Sequence, residues 1–175
     1  MAALFEGASE RRGLEFKESF VWEARVSNMS HIQCTVVKSL LAMCNTPKGG
    51  ILVVGVTDDG ASQHDFVGVD TTVKTSFQDT EKVASLLDSF ATSPMDYEVG
   101  IGTHDSKEYI VFTVSEFRTL PVQCAKDHKH GSTVMLRRHA LYTRSSKAKP
   151  ETIDAGPTEL REIITMSEER DEHFI

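Results

Sequence analysis

The sequence has no apolar run that approaches the ~20 residues needed to cross a bilayer. Its N-terminal segment, MAALFEGASERR, also lacks the sustained apolar stretch of a secretory signal. We therefore expect no membrane partner. At 175 residues the chain is long enough for one domain that buries a core of its own.

Cysteine is scarce, and the three that occur, Cys34, Cys44 and Cys124, are widely spaced. An odd number at these spacings matches neither a disulfide framework nor a zinc-binding pattern. Cys34 and Cys44 fall on the apolar side of a predicted helix, where a free thiol behaves as a small hydrophobic side chain. The cysteines therefore predict buried thiols and a reducing, cytoplasmic location.

Positive charge is in deficit, because the formal net charge is −7. A protein that holds nucleic acid mainly through phosphate contacts usually presents a basic surface. Residues 126–149 depart from this balance, with seven lysines and arginines against a single acid, Asp127. We expect one basic face on an otherwise acidic domain. The candidates for nucleic-acid contact are Arg137, Arg138, Arg144, Lys147 and Lys149.

Hydrophobic spacing predicts an α+β domain in which a mixed sheet is flanked by two to three helices. The segment LEFK predicts a short strand with Glu15 and Lys17 on one face. Helices are predicted from about residue 30 to 45 and from residue 80 to about 90, and a last one begins near residue 157. We expect residues 1–155 to form the domain and residues 156–175 to add a C-terminal helix and tail.

The run ILVVGV predicts one continuous strand buried on both faces, ending at a polar Asp58-Asp59-Gly60 turn. Further strands are predicted at YEVGI and EYIVFTV, while HKHG reads as a loop. TVMLRR and ALYTR read as a strand pair or as one bent strand. The second half of the chain is therefore built mainly from strands.

Three features follow one another in the first sixty residues. They are Glu-x4-Glu-Phe-Lys from Glu10, an amphipathic helix ending Ala-Met-Cys-Asn-Thr, and Gly-Gly with an apolar strand and Gly-Val-Thr-Asp-Asp-Gly. In this combination the chain resembles the Schlafen/AlbA-like domain family. LYTRSSKAKP is similar to the family's late strand, which extends the resemblance to about Pro150. The Pro47-Lys48 pair before Gly49 departs from the family pattern in a loop.

The resemblance implies one of two functions. Vertebrate Schlafen members include metal-dependent endoribonucleases that cut structured RNA such as transfer RNA, and their three catalytic acids correspond by position to Glu10, Glu15 and Asp58. These acids would hold Mg²⁺ or Mn²⁺, whose preference for oxygen ligands makes a cluster of carboxylates tolerable. Many microbial members are instead DNA-binding, RNA-binding or ATP-binding domains attached to larger proteins.

Several readings stay open within this comparison. Asp59 replaces Asp58 as the ligand if the register slips by one residue. Lys17 either contacts a phosphate or pairs with Glu15 on the same strand face. Because the vertebrate enzymes join two related lobes around RNA, a single lobe implies a homodimer or attachment to a larger protein.

Two other motifs suggest a ligand less specifically. NTPKGG lacks the Gly-Lys-Ser/Thr ending of a phosphate-binding loop and precedes a strand, so Gly49 and Gly50 are better explained as the end of a helix and the start of a strand. The histidines at positions 128, 130 and 139 suggest either a metal site or a solvated loop. Trp22 and Tyr142 are either core aromatics or base-stacking side chains.

Overall fold

The computed structural model describes residue 5, residues 10–58 and residues 64–171. A short 3-10 helix at Val26–Asn28 precedes the first long helix. The elements with described bounds are, in chain order, β1 (Leu14–Lys17), α1 (His31–Cys44), β2 (Gly50–Val54), β3 (Val56–Asp58), β4 (His64–Phe66), α2 (Thr71–Gln78), α3 (Thr80–Asp88), β5 (Tyr97–His104), β6 (Lys107–Val114), β7 (His128–His130), β8 (Thr133–Leu136), β9 (Tyr142–Arg144), β10 (Thr152–Asp154) and α4 (Pro157–Asp171).

The central sheet has the strand order β1-β2-β6-β5. β1 runs parallel to β2, whereas β2, β6 and β5 pair in antiparallel fashion. The mixed sheet with surrounding helices confirms the predicted α+β class. Parallel strands must be joined by a crossover connection, and α1 lies in the connection between β1 and β2. Ser30 caps the start of this helix by accepting a hydrogen bond from Gln33 N–H.

Apolar side chains cover both faces of this sheet. The larger core lies on the α1 face, where Leu40 and Leu41 of the helix belong to one cluster with Leu52 and Phe112 of the sheet. A smaller cluster on the opposite face contains Leu14 and Phe16 of β1 together with Phe5, Val53, Val56 and Tyr109. Alternation along β1 therefore places Glu15 and Lys17 on one face, as predicted, and the structure turns that face towards α1.

The run ILVVGV is not one strand, contrary to the prediction. It breaks at Gly55, whose φ of +112° and close approach to the backbone of Gly68 suit a residue without a Cβ atom. β2 stays in the central sheet, while β3 leaves it and pairs with β4. The break carries Asp58 away from the sheet to the end of a separate two-stranded ribbon.

Two elements differ from the sequence pattern. The HKHG segment is a strand, β7, because it pairs across a two-residue turn with β8, and such pairing is a tertiary property. The helix α2 was not predicted, and Asp70 caps it by accepting a hydrogen bond from Val73 N–H. Asp79 caps α3 in the same way, by accepting a hydrogen bond from Lys82 N–H.

The C-terminal helix α4 packs against the same core as the rest of the chain. Ile163 and Met166 belong to the larger cluster, and Glu162 forms a two-point ion pair with Arg12. A second ion pair joins Arg170 to Glu116 at 2.5 Å. The boundary between residues 155 and 156 stays a prediction.

All three cysteines are buried and free, as predicted. Burial raises the pKa of the Cys34 thiol to about 11 and that of the Cys44 thiol to about 12. Because only the thiolate is nucleophilic, we expect alkylation of the native protein at pH 8 to be at least about a hundredfold slower than that of the chain unfolded in guanidinium. Mass-spectrometric counting of alkylated cysteines over time measures this ratio, and rapid labelling of any one native thiol would contradict it.

Candidate functional site

A cavity of about 460 Å³ lies at the carboxyl end of β1, beside the start of α1 and the β3–β4 ribbon. Glu10, Lys17 and Asp58, which are three of the four predicted catalytic residues, line it. His31 and His64 line it as well. The tertiary fold therefore gathers acidic, basic and imidazole side chains from four separate segments around one space.

Glu10 is tied to the edge of the sheet. Its Oε1 accepts a hydrogen bond from the Phe16 N–H at 3.1 Å, on the side of β1 that faces away from β2. Arg11 closes the same edge, because its backbone exchanges hydrogen bonds with that of Leu14 at 3.1 and 2.7 Å. One Glu10 oxygen thus accepts the backbone hydrogen bond that a neighbouring strand would otherwise accept. This bond holds the carboxylate at the cavity wall.

Glu15 lies behind the cavity in the protein interior, with 4% of its surface exposed. Its Oε1 is 2.6 Å from Lys17 Nζ and accepts a hydrogen bond from the Ser39 hydroxyl at 3.0 Å. Its Oε2 is 2.8 Å from Nη1 of Arg144, which is itself 2% exposed. Two cations and a hydroxyl therefore compensate this buried carboxylate.

The structure shows one of the two alternatives for Lys17, the pairing with Glu15, while contact with a phosphate stays a prediction. The ammonium group pairs with Glu15, and the side chain also lines the cavity. The ion pair fixes the direction of a flexible side chain, because Glu15 itself is held by Ser39 and Arg144. Lys17 is consequently a positioned cation at the cavity wall.

Asp58 ends β3 and lies directly opposite His64 of β4. Its side chain is exposed at the cavity. The imidazole of His64 packs edge-on against Phe16, with 4.9 Å between ring centroids. Asp59, the alternative ligand in the sequence comparison, lies outside the described residues.

The three predicted acids are not equivalent as ligands for a metal ion. In residues 5, 10–58 and 64–171, no group of three or more His, Cys, Asp or Glu side chains is placed to hold one. Glu15 is ion-paired with Lys17 and Arg144 and does not line the cavity, whereas Glu10 and Asp58 do line it. Two carboxylates match the way Mg²⁺ binds in many phosphoryl-transfer sites, where substrate phosphates and waters complete the octahedron. The donor chemistry therefore fits a two-carboxylate site.

One of the predicted basic residues is not on the surface. Arg144 is inside the protein, so it is not available to a phosphate in this conformation. Arg137 forms an ion pair with Asp154, and Lys147 is 3.6 Å from Glu151. Arg138, Lys147 and Lys149 are exposed. The basic face is consequently smaller than the sequence suggests, because acids from neighbouring segments offset part of it.

Several of the other ligand candidates have structural roles. Trp22 and Tyr142 are buried, which makes them core aromatics. His130 lies with its Nδ1 3.3 Å from the Met29 carbonyl oxygen. In the NTPKGG loop, the Lys48 N–H donates to Glu116 Oε2 at 2.8 Å, so a carboxylate of the chain itself occupies the loop.

Two features of the site escaped the sequence reasoning. The sequence pattern assigned Arg144 to a basic surface, whereas the structure pairs it with Glu15 in the interior. The two residues are 129 positions apart, so nothing in the local sequence signals the pairing. His31 and His64 were not singled out, because neither belongs to a recognisable spacing. The position of His31 directly after a helix cap was the one available signal, and it indicates a helix start rather than a site.

Comparison with known proteins identifies the domain. The sequence profile of the Schlafen AlbA_2 family matches residues 10–146, which is most of the chain. The chain belongs to the Schlafen AlbA_2 family. The match begins at Glu10 and includes Glu15, Asp58 and Arg144. Membership connects the chain with nucleic-acid-related domains.

Solved structures resemble this Schlafen AlbA_2 domain more distantly. The N-terminal domain of a RecG-related protein from Nitrosomonas europaea is 22% identical, with a TM-score of 0.49, and the match covers 78% of this chain and 84% of that one. The DIP2311 protein from Corynebacterium diphtheriae is 13% identical, with a TM-score of 0.46 over 81% of this chain. The chain spans 22% of the Corynebacterium protein's length. No curated protein sequence matches the chain. Within the described residues, no helix is both long and apolar enough to cross a membrane.

Proposed function

We propose that this Schlafen AlbA_2 domain is a divalent-metal-dependent endoribonuclease that cuts structured RNA, such as transfer RNA, in the cytoplasm. The observation that carries the proposal is that Glu10 and Asp58, 48 positions apart, line one cavity together with Lys17. Two carboxylates and a positioned ammonium group supply what a phosphodiester needs, namely ligands for a cation and a direct contact for a phosphate oxygen.

Mg²⁺ or Mn²⁺ bound by Glu10 and Asp58 would polarise a phosphoryl oxygen and lower the pKa of a bound water. The chain's own residues have distinct tasks in this proposal. Lys17 contacts the scissile phosphate, and Glu15 positions Lys17 from behind the cavity wall. Glu15 is thus a positioning residue here, in place of the third metal ligand that the resemblance implied.

The proposal is tested by incubating the purified domain with transfer RNA in Mg²⁺, Mn²⁺ or EDTA. We expect cleavage in either metal, none in EDTA, and a loss of about a hundredfold or more in Asp58→Asn, the usual scale for removing one electrostatic stabiliser of a transition state. Glu10→Gln should show the same loss while keeping its fold, since a glutamine Oε1 still accepts the Phe16 N–H.

The matched control is Glu168→Gln, which neutralises an exposed carboxylate on α4 outside the cavity. It should cleave at the wild-type rate. Wild-type cleavage by the Asp58 and Glu10 variants would exclude the site, and cleavage that persists in EDTA would exclude the metal.

A second candidate function is a DNA- or RNA-binding module without catalysis, working as a homodimer or as part of a larger protein. The ion pairs of Glu15 favour it, because they give one of the three family acids a structural task. The exposed Arg138 and Lys149 would then contact the backbone. RNA binding that persists in EDTA and weakens steeply with salt, without cleavage, distinguishes this function from the first. The loop at Lys48 gives no comparable support to ATP binding, since Glu116 occupies it.

A further inference from the structure

The two edge strands of the central sheet differ in whether their outward-facing backbone groups have hydrogen-bond partners. On the outer side of β1, the backbone groups of Leu14 bond to Arg11, and the Phe16 N–H bonds to the Glu10 carboxylate. At the opposite edge, β5 pairs with β6 along all eight of its residues. Alternate residues of an edge strand direct N–H and C=O groups outward. Among the described residues, no hydrogen bond reaches those outer groups of β5.

β5 carries one acidic side chain, Glu98, but few other features that keep an edge strand from pairing. Its sequence, YEVGIGTH, contains no proline, lysine or arginine, and its register with β6 has no bulge. Ile101 is 49% exposed at the middle of the strand. A cavity of about 220 Å³ opens beside it, lined in part by Val99, Ile110 and Phe77. The edge is therefore long, straight and apolar at its centre, which are the properties of a strand that adds to another strand.

The order of side chains along β5 matches a second copy of itself. In an antiparallel pair centred on Ile101, that residue faces its own counterpart, and Glu98 faces the partner's His104. Glu98 and His104 have the same parity and so lie on one face of the strand, as cross-strand neighbours must. Rotation about the twofold axis brings each Glu98 next to a His104 imidazole that already stacks on Phe5 at 4.4 Å between ring centroids and lies 3.4 Å from Asp105. A registered, self-complementary strand points to a symmetric partner.

We propose that the chain forms a homodimer by antiparallel pairing of β5 with β5 of a second copy, joining two four-stranded sheets into one of eight strands. The contact uses Glu98–His104 and is centred on Ile101. It is independent of the proposed function, because none of these residues lines the cavity that contains Glu10 and Asp58.

Sedimentation of the full chain tests the surface. We expect a dimer for the wild type, and a dissociation constant at least about tenfold higher for Ile101→Lys, since two ammonium groups would then face each other across the axis. Val134→Lys is the matched control, because Val134 is an equally exposed valine, at 47%, on the separate β7–β8 hairpin. It should remain dimeric.

Cross-linking tests the register. Facing residues of an antiparallel pair have Cα atoms about 4.5–5.5 Å apart, which a disulfide spans. Ile101→Cys should therefore form a covalent dimer on mild oxidation, while the native cysteines stay silent because all three are buried. Thr103→Cys, exposed on the same face, should not, because the two copies of that residue would lie about 13 Å apart.

A monomeric wild type, or a dimer unaffected by Ile101→Lys, would overturn the proposed surface. Covalent dimers from Thr103→Cys with none from Ile101→Cys would overturn the register. RNA cleavage by a monomeric chain would refute the dimer and leave the proposed function intact.

Discussion

Arg144→Met is expected to destabilise the protein by about 3–5 kcal/mol, the usual cost of removing one partner from a buried ion pair. Arg144 is 2% exposed and pairs with Glu15, which is 4% exposed. Without the guanidinium group, the carboxylate keeps Lys17 and Ser39 but loses the cation next to its second oxygen. The variant also loses the hydrogen bond that Arg144 Nη1 donates to the Thr152 hydroxyl at 3.2 Å.

The measurement is urea unfolding followed by circular dichroism. Lys147→Met is the matched control, because Lys147 is exposed and lies 3.6 Å from Glu151, so its loss should cost less than about 1 kcal/mol. Adding Glu15→Gln to Arg144→Met should recover part of the lost stability by removing the uncompensated charge. Equal stability of the Arg144 and Lys147 variants would show that the internal ion pair contributes nothing.

This result also separates two roles that the sequence could not distinguish. A surface arginine that contacts RNA affects binding and leaves folding unchanged. Arg144 should behave in the opposite way, since Glu15 and the backbone of Arg12 surround it. If the Arg144→Met protein were as stable as the wild type but bound RNA more weakly, Arg144 would be a nucleic-acid contact, as the sequence predicted.

Gly49→Ala is expected to cost at least about 3 kcal/mol, because it combines a left-handed backbone conformation with a backbone clash. The φ angle of Gly49 is +67°. A Cβ atom there would lie 1.9 Å from the carbonyl oxygen of Val114 and 2.9 Å from its carbonyl carbon. Neither atom can move without disturbing the pairing of Gly50 with Val114 at the start of β2.

Gly100→Ala is the control for this substitution, since a Cβ atom at Gly100 meets nothing within 4 Å. Its unfolding free energy should stay within about 1 kcal/mol of the wild type. Thermal and urea unfolding of both variants give the comparison. If Gly49→Ala were as stable as Gly100→Ala, tight packing at the start of β2 would not explain the double glycine, and a ligand-binding role for NTPKGG would need to be considered again.

The sequence alone predicted most of the β1–α1–β2 unit. Alternation in LEFK assigned Glu15 and Lys17 to one face, and the helical spacing predicted the start of α1 at about residue 30. These elements follow local rules, because side-chain periodicity and capping depend on residues within a few positions of one another. The strand β2 and the burial of the cysteines were predicted from local apolar pattern in the same way.

The tertiary structure decided which of the predicted site residues share a cavity. Local pattern treats Glu10, Glu15 and Asp58 as three similar acids, since each is a carboxylate within or close to a strand. Only the fold shows that Arg144, 129 positions away, lies against Glu15, and that the break at Gly55 brings Asp58 to the wall with Glu10. A charge is compensated by whatever the chain brings within a few ångströms, and that distance is unrelated to separation in the sequence. The sequence therefore identified the candidate acids. Only the structure showed that Glu10 and Asp58 line the cavity while Glu15 belongs to a buried ion pair.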